Sequence, residues 1–377
     1  METKEKTRRV NLVKVVDYLL KQLNERERNI LLKRHGLKTS KKHTLEQIGK
    51  SYKITRERVR QIEKNTIKKL KSLDDSTRLK ARFHEAAEMI RGLIKQSGGI
   101  IEETHLIDQI KSNHQKINDD ILGRIILFLM HHLMDDVHFL KSTDKRHSSW
   151  KVADVNEELI QEVVDSILGI IENHNEPLSD KELLAQFEST EFFKSQEEQI
   201  MDLCDLNKDG ELTLHEIFLS YLRIIKKVKK NIFDKWGLTS WKNVQPRKIN
   251  DKAYLVLKKH GKPLHFTEIT NLINKAEFDS KVACPATVHN ELILNDQYVL
   301  VGRGIYALKE WGYKEGTVID VIYNVLEKAD GPMEKDDIVA EVLKTRMVKK
   351  STIYLSLLNK NKFKKVGHNQ YTIRTEV

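Results

Sequence analysis

The stretch from Thr44 to Leu70 carries the densest set of side chains with recognisable chemistry in the chain. Thr55 is followed by Arg56, Glu57, Arg58, Arg60 and Gln61. Guanidinium, carboxylate and amide groups are the types that match the donors and acceptors of base edges in the DNA major groove. A hydroxyl at Thr55 can cap free backbone amides or meet a phosphate. These groups act together only if one helix carries them. Leu45, Ile48 and Tyr52 recur at helical spacing, the pattern breaks at Lys53 and Ile54, and Val59, Ile62, Thr66 and Leu70 restart it. The spacing predicts two helices joined by a tight turn, with Thr55 opening the second. In a helix-turn-helix, the first turns of the second helix enter the major groove.

Upstream, the residues N-L-V-K-V-V-D-Y-L-L-K-Q-L from 11 to 23 form an amphipathic pattern, with Leu12, Val13, Val15, Val16, Leu19, Leu20 and Leu23 as its apolar set. Asn24 is expected to cap a further helix over Glu25 to Arg34, ended at Gly36. From Leu23 to Leu70, starting with L-N-E-R-E-R, the sequence closely resembles the fourth region of primary-type bacterial sigma factors, which reads the promoter's upstream hexamer. T-R-E-R-V-R-Q-I-E is the specific part of the likeness. The resemblance implies that Arg56, Glu57, Arg60 and Gln61 read bases, that Thr55 and Arg58 hold the backbone, and that Lys64 belongs to the same DNA-binding set. It also makes DNA and RNA polymerase the expected partners.

The chain has 377 residues, enough for several domains each with its own core. Only 5 prolines and 16 glycines leave little room for long flexible linkers. No apolar run approaches the roughly 18 residues of a membrane span, the longest lying near Ile125 to Met130, and the start, M-E-T-K-E-K-T-R-R, offers no secretory leader. A cytoplasmic protein is expected. Cys204 and Cys284 lie far apart, without zinc-type spacing or a disulfide framework, and both read as small buried apolar residues. Charge is unevenly spread: residues 1–71 hold 22 Lys and Arg against 8 Asp and Glu, whereas residues 157–216 hold 3 against 17. The basic head is an electrostatic footprint for nucleic acid. The acidic block should be repelled by DNA and suits a protein, a metal or solvent.

Behind the head, four thirteen-residue segments align without gaps, beginning at Gly98, Asn175, Gly261 and Asp330. Their ninth positions are Leu106, Leu183, Ile269 and Ile338, and their thirteenth are Ile110, Phe187, Ile273 and Val342. Each reads as a turn, a short extended piece and an amphipathic helix. Three copies continue into a further helix and a strand pair, the winged-helix order. The fold class is therefore mainly α, an N-terminal helix-turn-helix domain followed by tandem winged-helix modules with short β-wings. The expected division is 1–75 for the helix-turn-helix, 76–153 for a winged helix, 154–244 for an acidic winged-helix-like module, and 245–312 and 313–377 for two more winged helices. Trp236, Trp241 and Trp311 lie near boundaries and read as core anchors. Arg303 at the third wing tip, and Lys349, Lys350, Ser351, Thr352, Tyr354, Lys364, Lys365 and His368 in the last copy, could touch nucleic acid. The third copy, with K-P-L-H-F-T-E-I over about residues 247–311, resembles the HARE-type helix-turn-helix family, which includes the delta subunit of bacterial RNA polymerase. That likeness implies a transcription-linked adaptor or nucleic-acid module.

The second copy departs from the pattern with D-L-N-K-D-G-E-L-T-L-H-E from Asp205 to Glu216. This resembles the EF-hand calcium loop at every diagnostic position. By that likeness Asp205, Asn207 and Asp209 would give side-chain oxygens, Glu211 a backbone carbonyl, Thr213 a water-mediated contact and Glu216 a bidentate carboxylate, with Gly210 at the sharp turn. Calcium is thus the one cofactor the sequence suggests. The repeat register conflicts with this, since it makes Tyr221 to Val228 a wing strand rather than the exit helix of an EF-hand. A lone acidic loop built on Asn-Lys-Asp-Gly turn chemistry is the plainer alternative.

No Gly-rich phosphate loop, nucleophile elbow or H-E-x-x-H motif occurs, and His131 and His132 lack metal-ligand partners at telling spacings. A non-enzymatic protein with no small-molecule substrate is expected. The leading expectation is a sigma-related regulator or accessory factor that reads a promoter-like element and works with RNA polymerase. Residues 72–377 show no aromatic-rich melting helix, so opening promoters alone is not expected. The alternative is a calcium-responsive interaction protein.

Overall fold

Short-range capping sets where the helices of the head begin. The computed structural model describes residues 10–39, 41–72, 78–112, 119–206, 212–313, 315–329 and 331–374. Helix α1 (Leu12–Lys21) opens at Asn11, whose side chain accepts from the Lys14 amide. Asn24 and Glu27 make a reciprocal capping box at the start of α2 (Glu25–His35), and Gly36 ends that helix in the left-handed region at φ 64°. Thr44 and Gln47 repeat the box at α3 (Leu45–Tyr52). Lys53 then turns left-handed, and Thr55 opens α4 (Arg56–Lys71). The two helices and tight turn expected from the apolar spacing are present.

The chain divides into two compact units, residues 1–229 and 230–377. In the first unit the head is followed by α5 (Arg78–Lys95), β1 (Ile100–Glu102), α6 (Glu103–Ser112), α7 (Asp119–His132), β2 (Val137–Leu140) and β3 (Ser149–Val152). This is the winged-helix order, with an antiparallel sheet β1-β3-β2. Trp150 on the central strand is fully buried, donates its indole N–H to Glu103 at 3.0 Å, and meets the rings of Phe139 and His131.

The head does not stand apart from this module. Helix α1 buries Leu12, Val15, Val16, Leu19 and Leu20, and packs on both α5 and α7. The His35 ring lies 5.0 Å from Phe128 and 4.8 Å from His132, between centroids. His35 Nε2 is 3.0 Å from a Glu63 carboxylate oxygen, and Arg34 Nε is 3.6 Å from the same atom. Arg124 donates to the Thr39 carbonyl at 3.0 Å, and Lys71 pairs with Asp135. These contacts tie α2 and α4 to α7.

The acidic segment forms α8 (Glu157–His174), α9 (Asp180–Ser189), α10 (Glu191–Asp205) and α11 (Leu214–Ile224). The strand that the repeat register placed over Tyr221 to Val228 is instead helix as far as Ile224. Thr213 and Glu216 form a capping box, and Ile217, Phe218, Tyr221, Leu222 and Ile224 then bury one helical side. The seat of α11 is β1 and the turn before it. Gly98 has φ +70° there, and a Cβ on it would lie 2.6 Å from the Ile217 side chain, so this glycine lets α11 approach, while Gly99 makes room for Val155 and Leu206. Past α11, Ile225 bridges antiparallel to Arg146, and Lys226 donates its amide to the Lys145 carbonyl. Among the described residues, this copy has no three-stranded wing. Strands β4 (Val228–Lys230) and β5 (Trp236–Leu238) form a separate two-stranded sheet.

The second unit repeats the winged-helix order twice. One copy is α12 (Ile249–His260), β6 (Leu264–His265), α13 (Phe266–Lys275), α14 (Pro285–Leu294), β7 (Tyr298–Gly302) and β8 (Ile305–Leu308). The other is α15 (Val318–Glu327), β9 (Met333–Glu334), α16 (Lys335–Thr345), α17 (Lys350–Leu357), β10 (Phe363–Lys365) and β11 (Gln370–Ile373). In each, the last strand lies between the other two, as in the first copy. The shared register has a packing cause: Leu106, Leu183, Ile269 and Ile338 are each 0% exposed, and Ile110, Phe187, Ile273 and Val342 are buried beside them. Arg346 fastens the last two copies together, donating to the carbonyls of Leu300 and Gly316, and the Met347 amide donates to Val301.

Cys204 is buried, but Cys284 is exposed, which corrects the expectation that both are core residues. Cys284 stands at the N-cap of α14 directly before Pro285, where the chain leaves an extended segment at the surface. Trp236 is buried, Trp241 covers Gly237, and Trp311 packs partly against the third copy's core. Among the described residues, no helix is long and apolar enough to cross a membrane.

Burial, with the neighbouring rings of His35 and His131, pushes His132 from its ordinary 6.5 down to about 4. Between those values the unfolded chain takes up a proton that the folded chain refuses, so the contribution of His132 to stability is full above pH 6.5 and is lost as pH drops toward 4. Burial acts to raise the Glu63 carboxyl, but the hydrogen bond and charge of His35, with Arg34, outweigh it and hold the group low. Its protonation therefore removes further stability at lower pH. Urea unfolding at pH 7 and pH 5 should show a larger fall in midpoint for the wild type than for His132→Phe. An equal fall would remove His132 as the cause.

Candidate nucleic-acid interface

Helix α4 is presented by a small core in which Ile30, Ile48 and Val59 are buried, with Leu45, Tyr52, Ile54 and Ile62 packed around them. Gly49 brings the turn close: a Cβ there would lie 2.7 Å from the Ile54 carbonyl oxygen, and the Ile54 amide donates to the Gly49 carbonyl at 3.0 Å. Val59, Thr66 and Leu70 form the inner side of α4, with the Thr66 hydroxyl donating to the Ile62 carbonyl at 2.7 Å. The opposite side is left to solvent. Thr55, Arg56, Glu57, Arg58, Arg60, Gln61 and Lys64 are all exposed, so the fold brings every residue of the expected DNA-binding set to one end and one side of a single helix.

Within that set the side chains are already arranged. The Thr55 hydroxyl accepts from the Arg58 amide at 3.2 Å, so it caps the helix that carries the others. Arg60 donates through Nε and Nη2 to the two Glu57 oxygens at 2.8 and 2.7 Å. The hydrogen bond from Arg60 holds the Glu57 carboxyl below its ordinary value and raises the Arg60 guanidinium correspondingly. Arg58 Nη1 donates to Gln61 Oε1 at 3.3 Å. Exposed pairs of this kind are screened by solvent and contribute little, so opening them toward a base edge costs little. A freed arginine fork suits guanine, the Gln61 amide suits adenine, and the Glu57 carboxylate can accept from cytosine.

Two features of the helix go beyond what its sequence pattern indicates. Lys68 is exposed one turn beyond Lys64 and extends the same strip, at the spacing of four that already relates Arg60 to Lys64. Glu63 points the other way, into the contact with Arg34 and His35, and anchors α4 rather than facing DNA. That pairing spans distant sequence positions and leaves no periodic trace.

The suggested calcium ligands are only partly placed. Asp205 ends α10, and Thr213 and Glu216 open α11. Asn207, Asp209, Gly210 and Glu211 lie outside the described residues. One Glu216 oxygen accepts from the Thr213 amide and hydroxyl at 3.0 and 2.9 Å, which holds the carboxyl below its ordinary value. Among the described residues, no group of three or more His, Cys, Asp or Glu converges to hold a metal.

Residues 19–72 match the family model for sigma-70, region 4. The RNA polymerase sigma factor SigA of Lactococcus lactis subsp. cremoris is 48% identical over 65 residues, 17% of this chain and 18% of that protein. SigA of a Bacillus species is 47% identical over 62 residues, 16% of each chain. RpoD of Helicobacter pylori strain ATCC 700392 / 26695 is 49% identical over 65 residues, 17% of this chain and 10% of that protein. The chain thus spans less than a fifth of the length of these relatives. The match and the geometry agree on one conclusion: the N-terminal helix-turn-helix is a sigma-70 region 4 domain.

Proposed function

We propose that the chain is a sequence-specific DNA-binding transcription regulator or accessory factor that reads a promoter-like element with α4 and works with RNA polymerase in the cytoplasm. The observation that carries this is the common exposure of Arg56, Glu57, Arg60 and Gln61 on the first two turns of α4, with Thr55 capping that end. The relatives' names supply the polymerase: those proteins are RNA polymerase sigma factors. The likeness of the third winged-helix copy to the HARE-type family supports the same setting. The winged-helix modules are read as the part that holds proteins or flanking DNA, and the whole as a binding protein rather than an enzyme. Selection from random duplexes should return one preferred element for the wild type and altered or relaxed preferences for Arg56→Ala and Gln61→Ala. Removing a side chain that grips one base through two hydrogen bonds costs about 1–3 kcal/mol of discrimination. An unchanged preferred sequence in both variants would show that α4 is not the reader.

A calcium-responsive role is the second reading, favoured by one observation: the segment after the loop is the helix α11, as an EF-hand requires, and not a strand. Asp205, Asn207, Asp209, Glu211, Thr213 and Glu216 would hold the ion, and Glu216 would exchange its cap for coordination. Isothermal titration of the full chain with calcium at neutral pH should give saturable heat that both Asp205→Ala and Glu216→Gln abolish. The glutamine keeps a capping oxygen and removes the charge, so it separates coordination from helix capping. Identical weak heats from all three proteins end this reading.

A further inference from the structure

Three copies of the winged helix share one sheet order, yet their third helices and wings offer different surfaces. In the first copy, α7 is turned to the head through Phe128 and His132 and opens with Asp119 and Asp120. In the next, α14 contains no lysine or arginine, and its exposed end is Ile293 and Leu294. The last copy is split by charge. Residues 315–345 hold 8 Asp and Glu against 3 Lys and Arg, whereas residues 346–374 hold 8 Lys and Arg and no acidic residue at all. That second stretch comprises α17 and the β10–β11 wing.

The placement of these cations is what matters. Lys349 and Lys350 open α17, Lys364 and Lys365 lie on β10, and Gly367 turns the wing at φ +84°. Lys349, Lys350, Lys360, Lys362, Lys364 and Lys365 are all exposed. Lys362 lies over the Tyr323 ring, 5.8 Å from its centroid. Among the described residues, none of the six is in an ion pair, whereas Lys309 and Lys344 nearby each have a carboxylate as partner. Arg346 is different, being buried and donating to carbonyls. The first turn of α17 has no side-chain cap, and the Ser351 and Thr352 side chains beside it are exposed. Leu355, one turn on, is 69% exposed.

We propose that α17 and the β10–β11 wing form a second DNA-binding site, which grips the phosphates of duplex DNA. Lysines at the helix start and along the wing meet the backbone, and Ser351, Thr352 and Leu355 face the groove, where an apolar side chain can meet a thymine methyl group. Duplex DNA fits better than duplex RNA, because the B-form major groove, about 12 Å wide, admits a helix while the A-form major groove is too narrow and deep. The site does not rest on the reading of the head.

The test uses the full chain with Arg56→Ala, Arg58→Ala, Arg60→Ala, Gln61→Ala, Lys64→Ala and Lys68→Ala, so that the exposed basic strip of α4 is removed. Fluorescence anisotropy on a random-sequence DNA duplex is followed from about 50 to 200 mM salt. The proposal expects binding in this protein, and at least a roughly tenfold loss at low salt when Lys349→Ala, Lys350→Ala, Lys364→Ala and Lys365→Ala are added. The slope of log affinity against log salt should flatten by about 3.6, since each phosphate contact contributes about 0.9. The four corresponding lysine-to-arginine changes should keep both affinity and slope. Unchanged affinity and slope in the alanine protein overturns the site. Tighter binding of an RNA duplex of equal length than of the DNA duplex overturns the assignment to DNA.

Discussion

Val59 has no exposed surface, and with Ile48 and Ile30 it fixes the one side of α4 that cannot face water. Once that side is buried, the helical period places Arg56, Glu57, Arg60, Gln61 and Lys64 outward without further instruction. The turn that holds α3 against α4 leaves no room for a side chain at Gly49, so the crossing of the two helices is set by backbone contact. Everything proposed for the head depends on this constraint. A reader of base edges needs side chains on a rigid helix, and here rigidity comes from the core and the Thr55 cap rather than from the charged residues themselves.

The rear of the same domain is mounted on the first winged helix. Helix α1 packs on α5 and α7, and the Glu63–His35 contact joins α4, α2 and α7 through the His132 ring. The acidic helices continue the build, with α11 seated on β1 beside Gly98. The negative block of residues 157–216 therefore belongs to the same compact unit as the basic head. So uneven a distribution of charge within one unit favours one orientation of a polyanion over others.

Local chemistry was legible in the sequence. Asn24, Gly36 and Thr55 mark their helix ends because a cap involves residues only three or four apart. The ninth and thirteenth positions of the repeat were legible because they are buried in every copy. Long-range decisions were not. The register suggested strand at Tyr221, but Thr213 and Glu216 start a helix whose apolar side finds β1, a surface far away in sequence. Cys284 looked like a core residue by type, and its place before Pro285 put it outside. The contact of His35 with Glu63 and His132 joins groups with no shared period, so no pattern announced it.

The most direct measurement of the central claim is methylation interference on the duplex that the full chain selects. If α4 reads the major groove through its arginines, methylating N7 of guanines within the element blocks binding, and Arg60→Ala loses the interference at a particular guanine while retaining it elsewhere. Binding that is indifferent to N7 methylation throughout the element would contradict the account, because the exposed side of α4 would then not be reading base edges.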